Sequence, residues 1–263
     1  MASDILSNHV ETTKDPIANI SASPNYRGKI VLAAKEVMRS GHDAEKICAA
    51  KAISIDDGKK PERIALDMGK CILCGRCQAA APDLFRVESG FSMPAEKRQD
   101  LVESLDGKVP AGESYEKIGR KLKDRINKMF GRSLAIREVD AGSCNGCEVE
   151  ITALNNPIYD VERFGIHFVA SPRHADVLLV TGPASRNMEV ALQRTYEATP
   201  DPKIVIAIGA CACSGGIFGD TYATTGGIDK VVPVDVYIPG CPPRPEALLY
   251  GLLLAMDRIR PEK

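Results

Sequence analysis

Residues 203–216 read KIVIAIGACACSGG, a short apolar run that ends on glycine and is followed almost at once by cysteine. An uninterrupted run of this length, closed by a turn residue, is the pattern of a strand buried on both faces, and such strands belong to parallel sheets. The same texture returns twice. LAIREVDAGSCNGCE (134–148) places Cys144 and Cys147 after an apolar run, and VDVYIPGCPPRP (234–245) places Cys241 after another. Cysteines that follow strands in Gly- or Pro-rich turns gather at the carboxyl edge of an open α/β sheet, however far apart they stand in sequence. Cys144, Cys147, Cys211 and Cys241 are then four converging thiolates amid glycine-rich backbone, the donor set of a 4Fe–4S cluster. The expected role is electron transfer.

Around these runs the pattern alternates strand and helix. IHFVA (166–170) and DVLLVTG (176–182) read as further strands. EVEITALNN (148–156), NMEVALQRTYEA (187–198) and RPEALLYGLLLAMDRI (244–259) read as helices, the last with a proline entry suited to a first turn. The expected fold is therefore α/β, a mainly parallel sheet with helices on both faces, preceded by a small α+β unit. Texture divides the chain into a polar N-terminus (1–26), a small cysteine-bearing unit (27–94), a charged helical connector (95–132) broken by GKVPAGES (107–114), and the α/β body (133–263).

Composition narrows the function further. With 263 residues and 44% hydrophobic content the chain can fill one substantial core and a smaller one. A formal charge of −1 gives no basis for nucleic-acid binding. The polar start carries no basic-then-apolar secretory pattern, and the longest apolar stretch, ALLYGLLLAM (247–256), has the length of a core helix rather than a membrane span. Nine clustered cysteines in such a chain point to metal-bound thiolates in a reducing cytoplasm rather than to disulfides.

The small unit holds KCILCGRCQAAAPD (70–83), whose Cys71, Cys74 and Cys77 make the C-x₂-C-x₂-C run of bacterial ferredoxins. In that motif a fourth cysteine before proline serves the other cluster; here Ala81 stands there, before Pro82. Upstream, EKICAAKAISID (45–56) has the form of the tail of a first motif, with Cys48 as its fourth cysteine and Ala44 where the nearest ligand would be. Crossed ligation then joins Cys48 to Cys71, Cys74 and Cys77 around one 4Fe–4S cluster, and the sister cluster is deleted. Zinc usually pairs two separated C-x₂-C elements, so three cysteines in one tight loop suit a cubane better. In the connector, SYEKIGRKLKDRINKMF (114–130) sets Ile118, Leu122, Ile126 and Met129 or Phe130 on one helical face, with Lys117, Arg120, Lys121, Lys123, Arg125 and Lys128 on the others. Packing on its own domain is the favoured reading, contact with a membrane surface or an acidic partner the other.

Together SLAIREVDAGSCNGCEVEI, ADVLLVTGPASRNM, IGACACSGGIFGD and DVYIPGCPPRPEALLYGLLLAM resemble the small subunit of energy-converting nickel–iron hydrogenases and formate hydrogenlyases, a family similar to the 20-kDa cluster-bearing subunit of respiratory complex I. The resemblance runs in order from about residue 131 to 259. SPNYRGK (23–29) and the ferredoxin run resemble the two-cluster ferredoxin subunit of the same complexes, with half its ligands lost. This resemblance implies a flavodoxin-like fold, one 4Fe–4S cluster in the body, and docking onto a large subunit that holds the reactive centre. It places the ligand after Gly-Ala at Cys211 and leaves Cys213 as a small buried filler. Complex I subunits carry adjacent cysteines where this chain has Cys144-Asn145-Gly146-Cys147; the spaced pair is the hydrogenase-like form, which implies a nickel–iron partner.

Glu148 and Glu150 stand in a helix first turn, where the dipole alone favours acids. Glu150 also matches an acidic family position, a candidate proton relay. Arg186 is a candidate contact to the cluster surroundings, to a partner or to surface groups, whereas His167 and His174 are read as structural. The expected assembly has membrane subunits and a ferredoxin or formate-dehydrogenase-type donor, lies on the cytoplasmic face of the membrane, and leaves all bond-making to the partner. Two alternatives remain open: a complex I-like 20-kDa subunit of an NADH-quinone oxidoreductase, beside a quinone site, and an Fe–S redox sensor or binding protein. A flavin-using flavodoxin is disfavoured because the cysteines fill the edge where flavin would sit.

Overall fold

The computed structural model of the chain describes residues 28–33, 39–56, 63–104 and 115–258. The stretch 1–26, nearly all of SPNYRGK and the GKVPAGES break lie outside the described residues. The first part runs β1 (Lys29–Leu32), α1 (Arg39–Ile47), β2 (Ile53–Asp56), β3 (Arg63–Asp67), α2 (Arg76–Ala80), β4 (Phe85–Glu88) and β5 (Val102–Ser104). β1 pairs antiparallel with β4, while β3 stands between β2 and β5, antiparallel to both. Ile30, Leu66, Met68, Leu84 and Phe85 fill the small core behind the strands. The segment read as a charged helical connector thus contains more than a helix: a 3-10 turn at Arg98–Leu101 and the strand β5, which completes the small sheet.

Next come α3 (Tyr115–Phe130), β6 (Leu134–Asp140), α4 (Gly146–Ala153), β7 (Ile166–Phe168), β8 (Val177–Thr181), α5 (Arg186–Ala198), β9 (Ile204–Ile208), α6 (Gly209–Ser214), β10 (Val236–Ile238) and α7 (Pro245–Arg258). The five strands form one wholly parallel sheet in the order β10-β9-β8-β6-β7. Counted from β6, that is the 2-1-3-4-5 order of flavodoxin-like sheets, with its reversal between β6 and β8. The five strands read from the sequence are the five observed.

Period-two alternation explains why these runs are apolar throughout. On β8, Val177 and Leu179 enter one core while Leu178 and Val180 enter the other; on β9, Ile204, Ile206 and Ile208 oppose Val205 and Ala207. α3, α4 and α7 cover the first face, α5 and α6 the second. Ile118, Leu122 and Ile126 of α3 are 0% exposed in the first core. Burying such side chains is worth about 2 kcal/mol each, so these three residues of α3 are held by the core of its own body. Among the described residues no helix is long and apolar enough to cross one.

The two parts touch. Ala95 makes an antiparallel bridge to Tyr237 of the edge strand β10, and each N–H donates to the other's carbonyl, at 2.8 and 2.9 Å.

Candidate metal centres

β6 ends at Asp140, whose carboxylate accepts the N–H groups of Gly142 (2.8 Å) and Ser143 (2.6 Å) and so turns the chain sharply toward Cys144. Asn145 then adopts the left-handed region, with φ 67, and α4 begins at Gly146. Cys147 consequently occupies the first helical turn, where the N-terminal end of the dipole favours a thiolate. Cys211 lies within α6, and Cys241 follows β10 in an exposed loop. The expectation of cysteines in turns is thus corrected for two of them: Cys147 and Cys211 are helical. Ala210 N–H, next to Cys211, donates to Gly240 O, next to Cys241, at 2.8 Å and ties those two loops together.

The four body cysteines stand within electrostatic reach of one another. Burial pushes the Cys211 thiol up to about 11, and neighbouring Cys241 and Cys144 push in the same direction. Cys147 is raised further, first by burial, then by Glu148 and the three other cysteines. Metal-free, Cys147 and Cys211 therefore keep their protons at neutral pH. A bound cationic group reverses that balance, since a coordinating thiol is deprotonated outright.

Two glycines leave room for the sulfurs. A Cβ on Gly209 (φ +84) would lie 2.7 Å from Cys147 Sγ, and one on Gly216 would lie 3.0 Å from Cys211 Sγ. Gly209→Ala should therefore displace Cys147 and strain the left-handed backbone. The expected result is loss of iron from the anaerobically reconstituted chain, with the far-UV circular dichroism unchanged; full iron retention would show that Cys147 is not held as argued.

Cys48, Cys71, Cys74 and Cys77 line a single cavity together with Ile30, Ala52, Ile53 and Leu66. Two backbone N–H groups point at sulfur: Ala52 donates to Cys48 Sγ at 3.2 Å and Leu73, left-handed at φ 54, to Cys71 Sγ at 3.4 Å. Such bonds stabilise metal-bound thiolates and tune the potential of a cluster. Burial raises Cys71 to about 12 and Cys77 to about 11; neighbouring thiols add to the shift and backbone N–H groups oppose it. Among the described residues no three or more His, Cys, Asp or Glu side chains close in tightly enough to hold one metal ion. A cubane spreads its four ligands more widely than a single ion does, so a single-ion criterion does not decide whether a cluster is held here.

The other singled-out residues have definite places. Cys213 is 1% exposed on the far side of α6, its Sγ 3.7 Å from Ile238 O and 3.9 Å from Ala207 O, so it packs in the core. Glu148 accepts a short hydrogen bond from the Thr181 hydroxyl. Glu150 is half-buried, and burial raises its carboxyl while the Arg244 guanidinium opposes the rise. Arg186 pairs with Glu189 (3.4 Å) and Asp220 (3.7 Å), and its N–H donates to Ala223 O (2.8 Å), which fastens the loop that follows Cys211. His167 is half-buried on β7 and His174 exposed in the Pro172–His174 turn.

Sequence reasoning missed Glu138. It lies beside Glu148 in a polar cavity with Thr152 and Asn155, and burial followed by the neighbouring Glu148 raises its carboxyl. It also missed four exposed apolar side chains, Val149 (59% exposed) on α4 and Ile217, Phe218 (52% each) and Tyr222 (98%) in the segment after Cys211. Isolated apolar residues of this kind carry no periodic signal.

Residues 144–255 match the family described as NADH ubiquinone oxidoreductase, 20 Kd subunit. A probable membrane-bound hydrogenase subunit of Pyrococcus furiosus is 51% identical over 143 residues, which span 53% of this chain and 86% of the relative. The chain belongs to that family. Formate hydrogenlyase subunit 7 of Escherichia coli is also 51% identical, over 151 residues that cover 57% of this chain and 59% of that protein. An NADH-quinone oxidoreductase subunit of Geobacter metallireducens is 54% identical over 155 residues, 59% of this chain and 87% of the relative. Hydrogenase and quinone-oxidoreductase relatives stand at nearly equal identity, so identity does not choose between them. Members of the 20 Kd subunit family are subunits of oxidoreductase complexes, and this chain is one such subunit. The family match starts at Cys144 and does not reach the small unit.

Proposed function

We propose that the chain is the electron-transfer subunit of a hydrogenase complex of the formate hydrogenlyase type and holds two 4Fe–4S clusters. Cys48, Cys71, Cys74 and Cys77 would bind one in a ferredoxin-like unit, and Cys144, Cys147, Cys211 and Cys241 the other in the body. When bound, such clusters take up and release single electrons, at potentials set by surrounding hydrogen bonds and burial. The observation that carries the reading is the gathering of four cysteines at the carboxyl edge of the sheet, on segments that also expose Val149, Ile217, Phe218 and Tyr222. Exposed apolar side chains grouped at a redox centre suit a docking surface for a large subunit.

The protein's own residues position sulfur, exclude water and shape that surface; bond-making chemistry belongs to the partner. Glu150 is the proposed proton relay on this side of the contact, because burial keeps its carboxyl protonated at higher pH than an exposed glutamate. The spaced pair Cys144 and Cys147, by the hydrogenase resemblance, supports a nickel–iron large subunit. The donor would be a ferredoxin or a formate-dehydrogenase-type subunit, and membrane subunits would hold the complex on the cytoplasmic face of the membrane. The identity to the NADH-quinone oxidoreductase relative supports the second reading, a complex I-like assembly beside a quinone site.

Metal analysis of the complex purified anaerobically from its native cells separates the two. The hydrogenase reading expects nickel in the co-purifying large subunit and about eight irons per copy of this chain. Quinone reduction with neither nickel nor hydrogen chemistry would give the complex I-like reading instead.

A further inference from the structure

The two cysteine sets are joined by a short polar seam. Asp67 closes β3 just before the turn into Cys71, and the Cys71 N–H donates back to Asp67 O at 3.1 Å. The Asp67 carboxylate receives both Arg98 Nη1 and Nη2 at 2.9 Å, a fork-on-fork pair. The third donor of the same guanidinium, Nε, reaches Cys213 O in α6 at 2.7 Å. One side chain from the strap between the units therefore grips the segment leading into Cys71 and the helix that carries Cys211. Gly69 lies beneath it: a Cβ there would stand 2.7 Å from the Arg98 guanidinium carbon.

A second bond is more direct. Ser214 Oγ donates to Gly69 O at 2.8 Å, with Ala210 O as an alternative acceptor at 3.0 Å. The same Oγ accepts the Gly216 N–H at 3.3 Å, and Gly216 packs against Cys211 Sγ. Gly69 is two residues from Cys71, and Ser214 is three from Cys211. A single hydrogen bond thus closes a continuous path of backbone from one cysteine loop to the other.

Resting on the two-cluster reading above, we propose that Arg98 and Ser214 are the positioning residues that lock the two cysteine sets at one separation, and that the Ser214–Gly69 hydrogen bond is the electron's crossing between them. With both clusters bound, one electron would pass from the small-unit centre held by Cys48, Cys71, Cys74 and Cys77 to the body centre held by Cys144, Cys147, Cys211 and Cys241, with no proton or atom moving. A low-potential one-electron carrier replaces the electron on one side, and the large subunit removes it on the other. Arg98 supplies fixed geometry, Ser214 supplies the link. Neither touches iron.

The test uses the full chain reconstituted anaerobically with iron and sulfide and reduced stepwise with a photochemical one-electron donor. Magnetic coupling between the two reduced centres, read by electron paramagnetic resonance, reports their separation. The relaxation after a light pulse reports the rate of exchange. Arg98→Met should lose the coupling pattern of the unaltered chain, with Arg98→Lys recovering part of it through the retained charge. Ser214→Ala should keep the coupling but lose the fast phase of exchange, and Ser214→Thr, which keeps a hydroxyl, should restore it. Unchanged coupling in Arg98→Met together with an unchanged fast phase in Ser214→Ala, at full iron content, overturns this proposal and leaves the two-cluster reading standing. Iron near half the expected content in the unaltered chain overturns both.

Discussion

Cys241→Ala should abolish the body cluster, and with it electron delivery to the large subunit, while the sheet stays folded. Cys241 is exposed in the loop after β10, so its removal opens no cavity in either core. The strands behind it are buried without exception along β8, β9 and β10. What goes is one of four donors, together with the share of stability that metal binding contributes. Cys213→Ala makes the opposite case. Its sulfur is 1% exposed and packs between strand carbonyls, so its loss should cost about 1 kcal/mol of stability and leave both clusters in place. Iron content and electron paramagnetic resonance of the two variants, side by side with thermal melts, decide the matter. A Cys241→Ala chain with full iron and full electron delivery would sink the ligand assignment, and a Cys213→Ala chain lacking the body signal would exchange the two residues' roles.

The body was legible because its strands are long enough and apolar enough to carry their own signal. KIVIAI and DVLLV have no polar residue facing solvent, which only a sheet covered on both faces permits. The small unit was not legible at the level of strands. β1, β2 and β4 have four residues each, too few to carry a periodic signal, and β1 finds its partner β4 only at the far end of the small unit. α6 escaped because GACACS is too short for helical periodicity and too rich in small residues to show an apolar face. Arg98 escaped for a different reason. In EKRQDL it is one charge among several, and only the fold reveals that its guanidinium is aimed at Asp67 and Cys213 O rather than at water. Spacing can nominate ligands, since ligands need particular atoms; it is silent on residues whose role is to hold two surfaces together.

Cys48→Ala is the sharper test of the small unit, because it removes a cysteine that stands outside the C-x₂-C-x₂-C run. Cys48 follows α1, receives the Ala52 N–H on its sulfur at 3.2 Å, and lines the same cavity as Cys71, Cys74 and Cys77. Two of the four positions at which a sister cluster would need cysteines are Ala44 and Ala81, and both are 0% exposed within the small hydrophobic core. That packing agrees with the proposed crossed arrangement, in which the first half-motif gives a single cysteine and the second gives three. The variant should lose the ferredoxin-type signal entirely and keep the body signal, so iron should fall by about half. Electrons from a soluble one-electron carrier should then no longer reach the large subunit. A small artificial donor able to approach the exposed Cys144 and Cys241 edge should still deliver them. That difference distinguishes a broken relay from a misfolded protein, since misfolding would silence both donors. If both spectroscopic signals survive in Cys48→Ala, the crossed ligation is wrong, and the three-cysteine run must find its fourth donor elsewhere.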